Sequence, residues 1–205
     1  MKSSEFNRKW SDLHGGVEVQ GVISLWLRIS YWIARGLAFV RITPNIVTTV
    51  GLLASVAIYQ TIYTSQLLAL VLFSLICDGV DGSLAIYRGR VSKFGELYDS
   101  LADRISEAFW LMGASFVGVP VRWAIAIWVI GATQEYARAR LASLGYAEIG
   151  IVTPTERPVR AIFVMAVTLS YWLGYEVATN LAIGFVILQI WSFLQVMRMA
   201  KSILR

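Results

Sequence analysis

Long apolar segments separated by short polar connections occupy most of this chain. Six of them follow residue 41, over 46–63, 66–87, 94–117, 120–143, 158–174 and 178–199. Each is close to the roughly 20 residues that an α-helix needs to cross a hydrocarbon core about 30 Å thick. The pattern predicts an all-α integral membrane protein with six transmembrane helices, forming one membrane domain over residues 42–205.

The segment 18–41 has a different pattern, because arginines interrupt its apolar residues. Arg28 and Arg35 are one heptad apart and share a helical face. Charges in the middle of a spanning helix are costly, so we predict an amphipathic juxtamembrane helix at the membrane interface. Its arginines would face headgroup phosphates, while Trp26, Leu27, Tyr31 and Trp32 face acyl chains. A first spanning helix is the alternative.

Composition agrees with the membrane interpretation. The 205 residues are 57% hydrophobic, and the mean hydropathy is +0.63. Residues 1–17 form a polar N-terminal segment without the pattern of a signal peptide, and His14 there is expected to be solvated. The single cysteine, Cys77, rules out an internal disulfide and is expected to be a packing residue.

The basic residues are distributed by membrane side. The net charge of +5 comes from side chains scattered among connections, which is unlike a nucleic-acid-binding stripe. Arg122 alone falls on the opposite side from the following group: Arg35, Arg41, Arg88, Arg90, Lys93, Arg138, Arg140, Arg157, Arg160, Arg198, Lys201 and Arg205. Because basic residues favour the cytoplasmic side, we predict a multi-pass cell-membrane protein with both termini cytoplasmic.

Four aspartates mark the facing ends of two consecutive apolar segments. Asp78 and Asp81 are three residues apart, and Asp99 and Asp103 are four apart, so each pair shares a helical face. Such acids are expensive near a membrane unless they are paired, hydrated or bound to metal. Carboxylates suit Mg²⁺ or Mn²⁺, and the chain has no cluster of histidines or cysteines for zinc. The pattern predicts a cytoplasmic divalent-metal site.

Small residues accompany these acids. Gly79, Gly82, Ala85 and Gly95 leave little bulk beside the carboxylates, which would let a ligand's phosphates approach closely. Tight helix–helix contact is the alternative explanation for small residues in membrane helices.

The run Asp78-x-x-Asp81-Gly82-x-x-Ala85, followed by Gly95-x-x-x-Asp99-x-x-x-Asp103, resembles the signature of the CDP-alcohol phosphotransferases. These are integral membrane enzymes of phospholipid synthesis. The family has an arginine directly after the position of Ala85, where this chain has Ile86. Our hypothesis is that Arg88 or Arg90 substitutes for that arginine.

The resemblance implies a reaction and a set of metal ligands. A phosphatidyl group would pass from CDP-diacylglycerol to an alcohol, with release of CMP. Two Mg²⁺ or Mn²⁺ ions would be held mainly by Asp78, Asp81 and Asp99. Asp103 would contact the second ion and take the proton of the acceptor hydroxyl. A homodimer is also implied.

The resemblance further implies a binding site for the CDP-lipid. The stretch 43–48 is similar to the family's nucleotide-lining segment, and small residues after Asp81 would lie near the diphosphate. The implied CDP-lipid-binding residues are Pro44, Asn45, Ile46, Val47, Gly82, Ala85 and Ser92.

A second basic group suggests the acceptor. Arg138, Arg140 and Arg157 would bind a phosphate monoester, to which guanidinium forks are suited. The patterns in 136–143 and 156–158 are similar to the phosphatidylinositol-phosphate synthase branch, whose acceptor is inositol phosphate. The same arginines would also satisfy the positive-inside rule without binding any ligand.

Three alternatives remain open from the sequence. The acceptor could be glycerol phosphate or another alcohol. The acids could line a cation-transport path, although 161–175 and 181–196 carry no charged residue. The chain could also be a structural protein that lost activity through Ile86.

Overall fold

A computed structural model describes residues 1–13, 15–60, 64–146 and 152–204, and within these ranges it contains helices and no strand. His14, the end of the segment 46–63, part of the connection before Glu156, and Arg205 lie outside the described residues. The elements in chain order are α1 (Ser3–Leu13), α2 (Gly21–Phe39), α3 (Pro44–Ala57) with a 3-10 turn (Ile58–Gln60), α4 (Thr64–Arg88), α5 (Lys93–Phe116), α6 (Val121–Ser143), α7 (Arg157–Trp172) and α8 (Ala178–Ile203).

The all-α membrane class is confirmed, and each of the six expected spans is a helix where it is described. By length and apolar composition, α4 and α8 could each cross a membrane. The pair formed by α2 and α3, bent by 111°, would count as a third if it were one broken span. The number of six spans stays a prediction, because α5 and α6 carry several charged residues and α7 is only 16 residues long.

The chain divides into two compact units. The first contains Met1–Ala54 and Phe73–Ile105, and the second contains Ser55–Leu72 and Ser106–Arg205. All four aspartates of the predicted metal site belong to the first unit. The arginines predicted to bind the acceptor belong to the second.

Helix α1 packs through Phe6 against α2 and α4 within the first unit. The Phe6 side chain is fully buried in a cluster with Leu27, Tyr31 and Ile86. The Tyr31 hydroxyl also donates to the backbone carbonyl of Met1 at 2.9 Å. The prediction that Leu27 and Tyr31 face acyl chains was therefore wrong, because α1, for which the sequence analysis predicted no helix, covers that face of α2.

A sharp corner joins α2 to α3. Arg41 adopts a left-handed backbone conformation with φ of 62°, and Pro44 then begins α3. The Arg88 guanidinium donates to the carbonyl oxygen of Ile42 at 2.8 Å, which ties the end of α4 to this corner. The interfacial position of α2 stays a prediction, since the same bend would also occur in a broken span.

Two glycines allow helices of the first unit to approach closely. A Cβ atom at Gly79 of α4 would collide with the Trp26 indole of α2. A Cβ atom at Gly51 of α3 would lie 2.8 Å from the Cβ of Cys77. Cys77 is buried in the apolar cluster of this unit, as expected for a packing residue.

The second unit has a core between α6, α7 and α8. The Phe163 and Phe185 rings stack with centroids 4.4 Å apart. Val164 and Val167 of α7 are buried in the same unit. The polar residues Gln134 and Gln189 are fully buried and joined by a 3.3 Å hydrogen bond.

Candidate active site

Three aspartates converge in the first unit. Asp78 on α4 and Asp99 and Asp103 on α5 each place one carboxylate oxygen within 4.8 Å of the others. The two helices are antiparallel neighbours in sequence, separated by a short turn in which Gly89 has φ of 62°. The turn brings the end of α4 and the start of α5 together, as the spacing of the acids predicts.

Asp81 lies beside this group in a different environment. It is 4% exposed and accepts a hydrogen bond of 2.5 Å from the Thr48 hydroxyl of α3. It interacts electrostatically with both Asp99 and Asp78. The structure thus gathers three of the four predicted ligands directly and keeps the fourth within electrostatic reach.

The donor set fits a hard divalent cation. Only oxygen ligands are present in the cluster, and each residue is partly exposed, so that a hydrated ion has access. Mg²⁺ and Mn²⁺ prefer such carboxylates, whereas structural zinc sites use cysteine and histidine. The three aspartates are compatible with divalent-metal binding, and the role of each residue as a ligand stays a prediction.

A cavity of about 310 Å³ opens beside the aspartates. Five residues predicted to bind the CDP-lipid line it, namely Pro44, Asn45, Gly82, Ala85 and Ser92. Asp81 and Asp99 form its acidic side.

Ile46 and Val47 lie off this cavity. Ile46 is half-exposed on another face of α3, and Val47 is buried in the apolar cluster around Cys77. The reason is helical periodicity, because Pro44, Asn45 and Thr48 share one face of α3 and the two residues between them point elsewhere.

Further residues line the cavity beyond those predicted to bind the CDP-lipid. The sequence indicated three of them, because Thr48 belongs to the stretch 43–48, Gly95 to the small residues beside the acids, and Arg90 to the replacements considered for the signature arginine. Leu13 could not have been predicted, since its place depends on how α1 packs within this unit. The remaining lining residues are Ile86, Val91 and Glu96.

Arg88 and Arg90 have different environments. Arg88 is engaged with carbonyl groups at the corner between α2 and α3. Arg90 is exposed and lines the cavity. Of the two arginines proposed to substitute at the signature position, the structure favours Arg90.

Gly95, near the start of α5, leaves space for Ser92 and Asn45 beside the helix. Its backbone N–H donates to the Ser92 hydroxyl at 3.0 Å, which caps the helix. A Cβ atom at Gly95 would lie 3.0 Å from the Ser92 oxygen and 3.4 Å from the Asn45 amide oxygen. A larger side chain would therefore push these two cavity-lining residues apart.

Arg138 is paired with two glutamates in the second unit. Its guanidinium donates to both carboxylate oxygens of Glu156, at 2.7 and 3.0 Å, and lies 3.5 Å from Glu135. Burial raises the pKa of Glu156, but hydrogen bonds from Arg138 and Thr153 outweigh it and hold that pKa at about 2. Glu156 is therefore ionised at neutral pH and neutralises Arg138.

The other two predicted acceptor-binding arginines are placed differently. The Arg157 guanidinium lies 5.1 Å from the centroid of the Trp110 ring, and its Nε is 3.8 Å from Glu107. Arg140 donates to Ser143 of its own helix at 3.2 Å. Arg138 and Arg157 thus share a network of buried and half-buried charges, whereas the contact of Arg140 is local and exposed.

Apolar helices, a carboxylate cluster suited to divalent metal and an adjoining cavity together define a membrane enzyme acting on a phosphate-containing substrate. Residues 41–197 match the family model of CDP-alcohol phosphatidyltransferase. The chain belongs to this family of metal-dependent transferases, which confirms the resemblance and removes support for a cation transporter.

Two archaeal proteins are similar to this chain in sequence. The chain is 38% identical over 132 residues to archaetidylinositol phosphate synthase of Pyrococcus horikoshii, covering 61% of this chain and 70% of that protein. It is 32% identical over 163 residues to the enzyme of the same name from Aeropyrum pernix, covering 77% and 81%.

Solved structures of phosphatidylinositol phosphate synthase from Mycobacterium tuberculosis are also similar. The complex with CDP-DAG has a TM-score of 0.61 at 29% identity, covering 82% of this chain and 94% of that one. The complex with manganese and citrate has a TM-score of 0.65 at 28% identity, covering 82% and 84%.

Proposed function

We propose that this protein transfers the phosphatidyl group of CDP-diacylglycerol to inositol phosphate and releases CMP. The observation that carries the proposal is the convergence of Asp78, Asp99 and Asp103 beside a cavity lined by the family's nucleotide-binding segment. The choice of inositol phosphate as acceptor is supported by the names of the relatives. The archaeal protein is an archaetidylinositol phosphate synthase, and the mycobacterial protein is a phosphatidylinositol phosphate synthase.

The reaction forms one phosphorus–oxygen bond and breaks another. The acceptor hydroxyl oxygen attacks the lipid-bearing phosphorus, the bond from that phosphorus to the CMP oxygen breaks, and Asp103 accepts the hydroxyl proton. Two Mg²⁺ or Mn²⁺ ions would be held by Asp78, Asp99 and Asp103 with Asp81 beside them, and would supply positive charge that stabilises the phosphoryl oxygens. Arg90 adds a guanidinium at the same cavity.

The nucleotide end of the CDP-lipid is assigned to the polar face of α3. Pro44, Asn45 and Thr48 present that face to the cavity, and Gly82 and Ala85 leave room for the diphosphate. Ser92, which caps α5, contributes a hydroxyl to the same space.

The acceptor phosphate is assigned to Arg138 and Arg157, with Arg140 as a more exposed contact. Arg138 holds Glu156 in a bidentate pair, which is the geometry that a phosphate monoester also adopts. An incoming phosphate would compete with Glu156 for this fork, so the glutamate is expected to tune affinity for the acceptor.

A second candidate donor is a CDP-activated archaetidyl lipid. It is favoured by the 38% identity to the Pyrococcus enzyme, whose name specifies an archaetidyl product. The two donors differ in the lipid chains, and the residues assigned here bind the nucleotide and diphosphate that the donors share.

Membrane sidedness and assembly complete the proposal. The positive-inside pattern supports a cell-membrane enzyme with its active site and both termini on the cytoplasmic side. The family resemblance supports a homodimer. Cysteine labelling of exposed positions in intact cells and mass measurement in detergent would test these two points.

A transfer assay tests the function directly. Purified protein with CDP-diacylglycerol, radiolabelled inositol phosphate and Mg²⁺ should produce labelled lipid and CMP in equal amounts, and EDTA or Asp103→Asn should abolish both products. Incorporation of label into lipid from glycerol phosphate, but not from inositol phosphate, would refute inositol phosphate as the acceptor. Absence of CMP with every donor and acceptor would refute the reaction. Parallel reactions with a CDP-archaetidyl lipid would identify the preferred donor.

A further inference from the structure

Arg160, at the start of α7, is the most buried arginine of the charge network in the second unit. Its side chain is 3% exposed, compared with 24% for Arg138 and 11% for Arg157. A soluble phosphate could reach Arg138 by displacing Glu156, but it could not reach Arg160. Any influence of Arg160 on such a ligand must therefore pass through its neighbours.

Arg160 connects three separate segments. Its Nε donates to Glu107 of α5 at 3.1 Å, and its Nη2 donates to Glu135 of α6 at 3.2 Å. Its Nη1 donates to the carbonyl oxygen of Thr155 at 3.0 Å, in the connection that precedes α7. The planar guanidinium thus sets the relative directions of two carboxylates and one loop.

Each of the two carboxylates also contacts another arginine. Glu107 lies 3.8 Å from the Nε of Arg157, and Glu135 lies 3.5 Å from the Nη1 of Arg138. The charges therefore alternate in one continuous row, in the order Arg157, Glu107, Arg160, Glu135, Arg138 and Glu156. Arg160 is at the centre of this row, between the two arginines assigned to the acceptor phosphate.

A glycine of α6 lies directly beside this guanidinium. Gly131 lies one turn before Glu135, and a Cβ atom there would be 3.4 Å from the Nη1 of Arg160. The absence of a side chain at Gly131 leaves room for Arg160 to approach α6 closely.

We propose that Arg160 is a positioning residue that fixes the separation of Arg138 and Arg157, and thereby determines affinity for the acceptor's phosphate. The inference rests on the proposed function, in which those two arginines bind that phosphate. Lysine would keep the charge but not the fork, because an ammonium on a flexible stem cannot hold three acceptors in fixed directions.

The test compares Arg160→Lys with a matched packing variant, Val164→Ala. Val164 is one turn further along α7 and 1% exposed, so its truncation destabilises the same helix without removing a charge contact. In Arg160→Lys we expect KM for inositol phosphate to rise about tenfold, since the fork geometry is lost, while KM for the CDP-lipid is unchanged. Val164→Ala should leave both KM values within twofold of the wild type.

Inorganic phosphate provides a second readout that does not depend on the alcohol. It should inhibit the wild type competitively with the acceptor, and its inhibition constant should rise in Arg160→Lys by the same factor as KM. If Arg160→Lys does not fold, Gly131→Ala, which presses one methyl group against the guanidinium, should raise the acceptor KM about two- to threefold.

Two results would overturn the inference while leaving the proposed function intact. One is an active Arg160→Lys enzyme whose acceptor KM matches that of the wild type. The other is an equal rise in both KM values, matched by Val164→Ala at the same melting temperature. A wild type that releases no CMP with any phosphorylated alcohol would instead refute the proposed function, and this inference with it.

Discussion

Ile86 is the residue at which this chain departs from its family's signature. Its side chain is 6% exposed, packs with Phe6, Leu27 and Tyr31, and also forms part of the cavity wall. An arginine at this position would place its aliphatic stem in this apolar cluster, and its guanidinium would have to displace α1 or turn into the cavity. The packing of Phe6 on Ile86 therefore disfavours the family's arginine.

We expect Ile86→Arg to destabilise the protein without increasing its activity. Burying the charge or displacing α1 should cost about 1–3 kcal/mol, seen as a lower melting temperature in detergent. Ile86→Val is the control, because it removes one buried methylene at a cost of about 1 kcal/mol and introduces no charge. Higher transferase activity at an unchanged melting temperature would contradict this expectation. It would show that position 86 accepts the family's arginine and that the arginine increases activity.

Arg88 and Arg90 show what sequence spacing cannot resolve at the residue scale. Both follow the signature closely, so either could have substituted for the missing arginine. Arg88 belongs to the last turn of α4 and reaches back to the corner at Ile42, whereas Arg90 follows the left-handed Gly89 and lines the cavity. The backbone path after α4 decides between them, and that path depends on one glycine conformation.

Among the elements, α1 and α2 show how much structure an amphipathic sequence pattern can predict. The composition of residues 1–17 is polar, and only the spacing of Phe6, Trp10 and Leu13 indicates a helical face. The pattern of α2 correctly indicates a face that avoids water. It does not indicate whether lipid or protein covers that face, and here α1 covers part of it.

The contact between α2 and α4 depends on Gly79. A methyl group there would collide with the Trp26 ring, so Gly79→Ala should separate the two helices and lower the melting temperature. Gly36→Ala on α2 is the matched control, since a Cβ atom there meets nothing within 4 Å. That control should be neutral or stabilising by up to about 1 kcal/mol, through helix propensity. Equal melting temperatures for the two variants would contradict this account of the packing.

For the whole molecule, periodicity and length were sufficient to predict the class of fold and the position of each long helix. The convergence of Asp78, Asp99 and Asp103 was also predictable, because their spacings and a short turn determine which faces meet. The pairing of Asp81 with Thr48 was not, since the two are 33 residues apart and meet only when α3 packs on α4.

The row of charges through Arg160 was equally hidden from the sequence. Its members come from residue 107 to residue 160, and each of its arginines alone was consistent with a simple positive-inside bias. The sequence spacing between an arginine and a glutamate on different helices does not determine whether they are in contact. That depends on how the helices pack in the folded protein.

Divalent metal should stabilise the whole protein if the aspartates bind it in the folded state. Mn²⁺ at a hundred times its dissociation constant would add about 2.7 kcal/mol, measurable as a rise in melting temperature that EDTA reverses. Asp99→Asn should remove most of the rise, whereas Asp12→Asn, an exposed acid on α1, should retain it. A rise that survives in Asp99→Asn would place the ion elsewhere.

The corner after α2 constrains how this chain can evolve. Arg41 holds a left-handed conformation that costs an L-residue with a Cβ atom about 1–2 kcal/mol, and glycine or asparagine would relieve that cost. If residue 41 lies on the cytoplasmic side, as proposed, its positive charge favours arginine or lysine there. Backbone conformation and charge then favour different residues at this position, and a β-branched residue meets neither requirement.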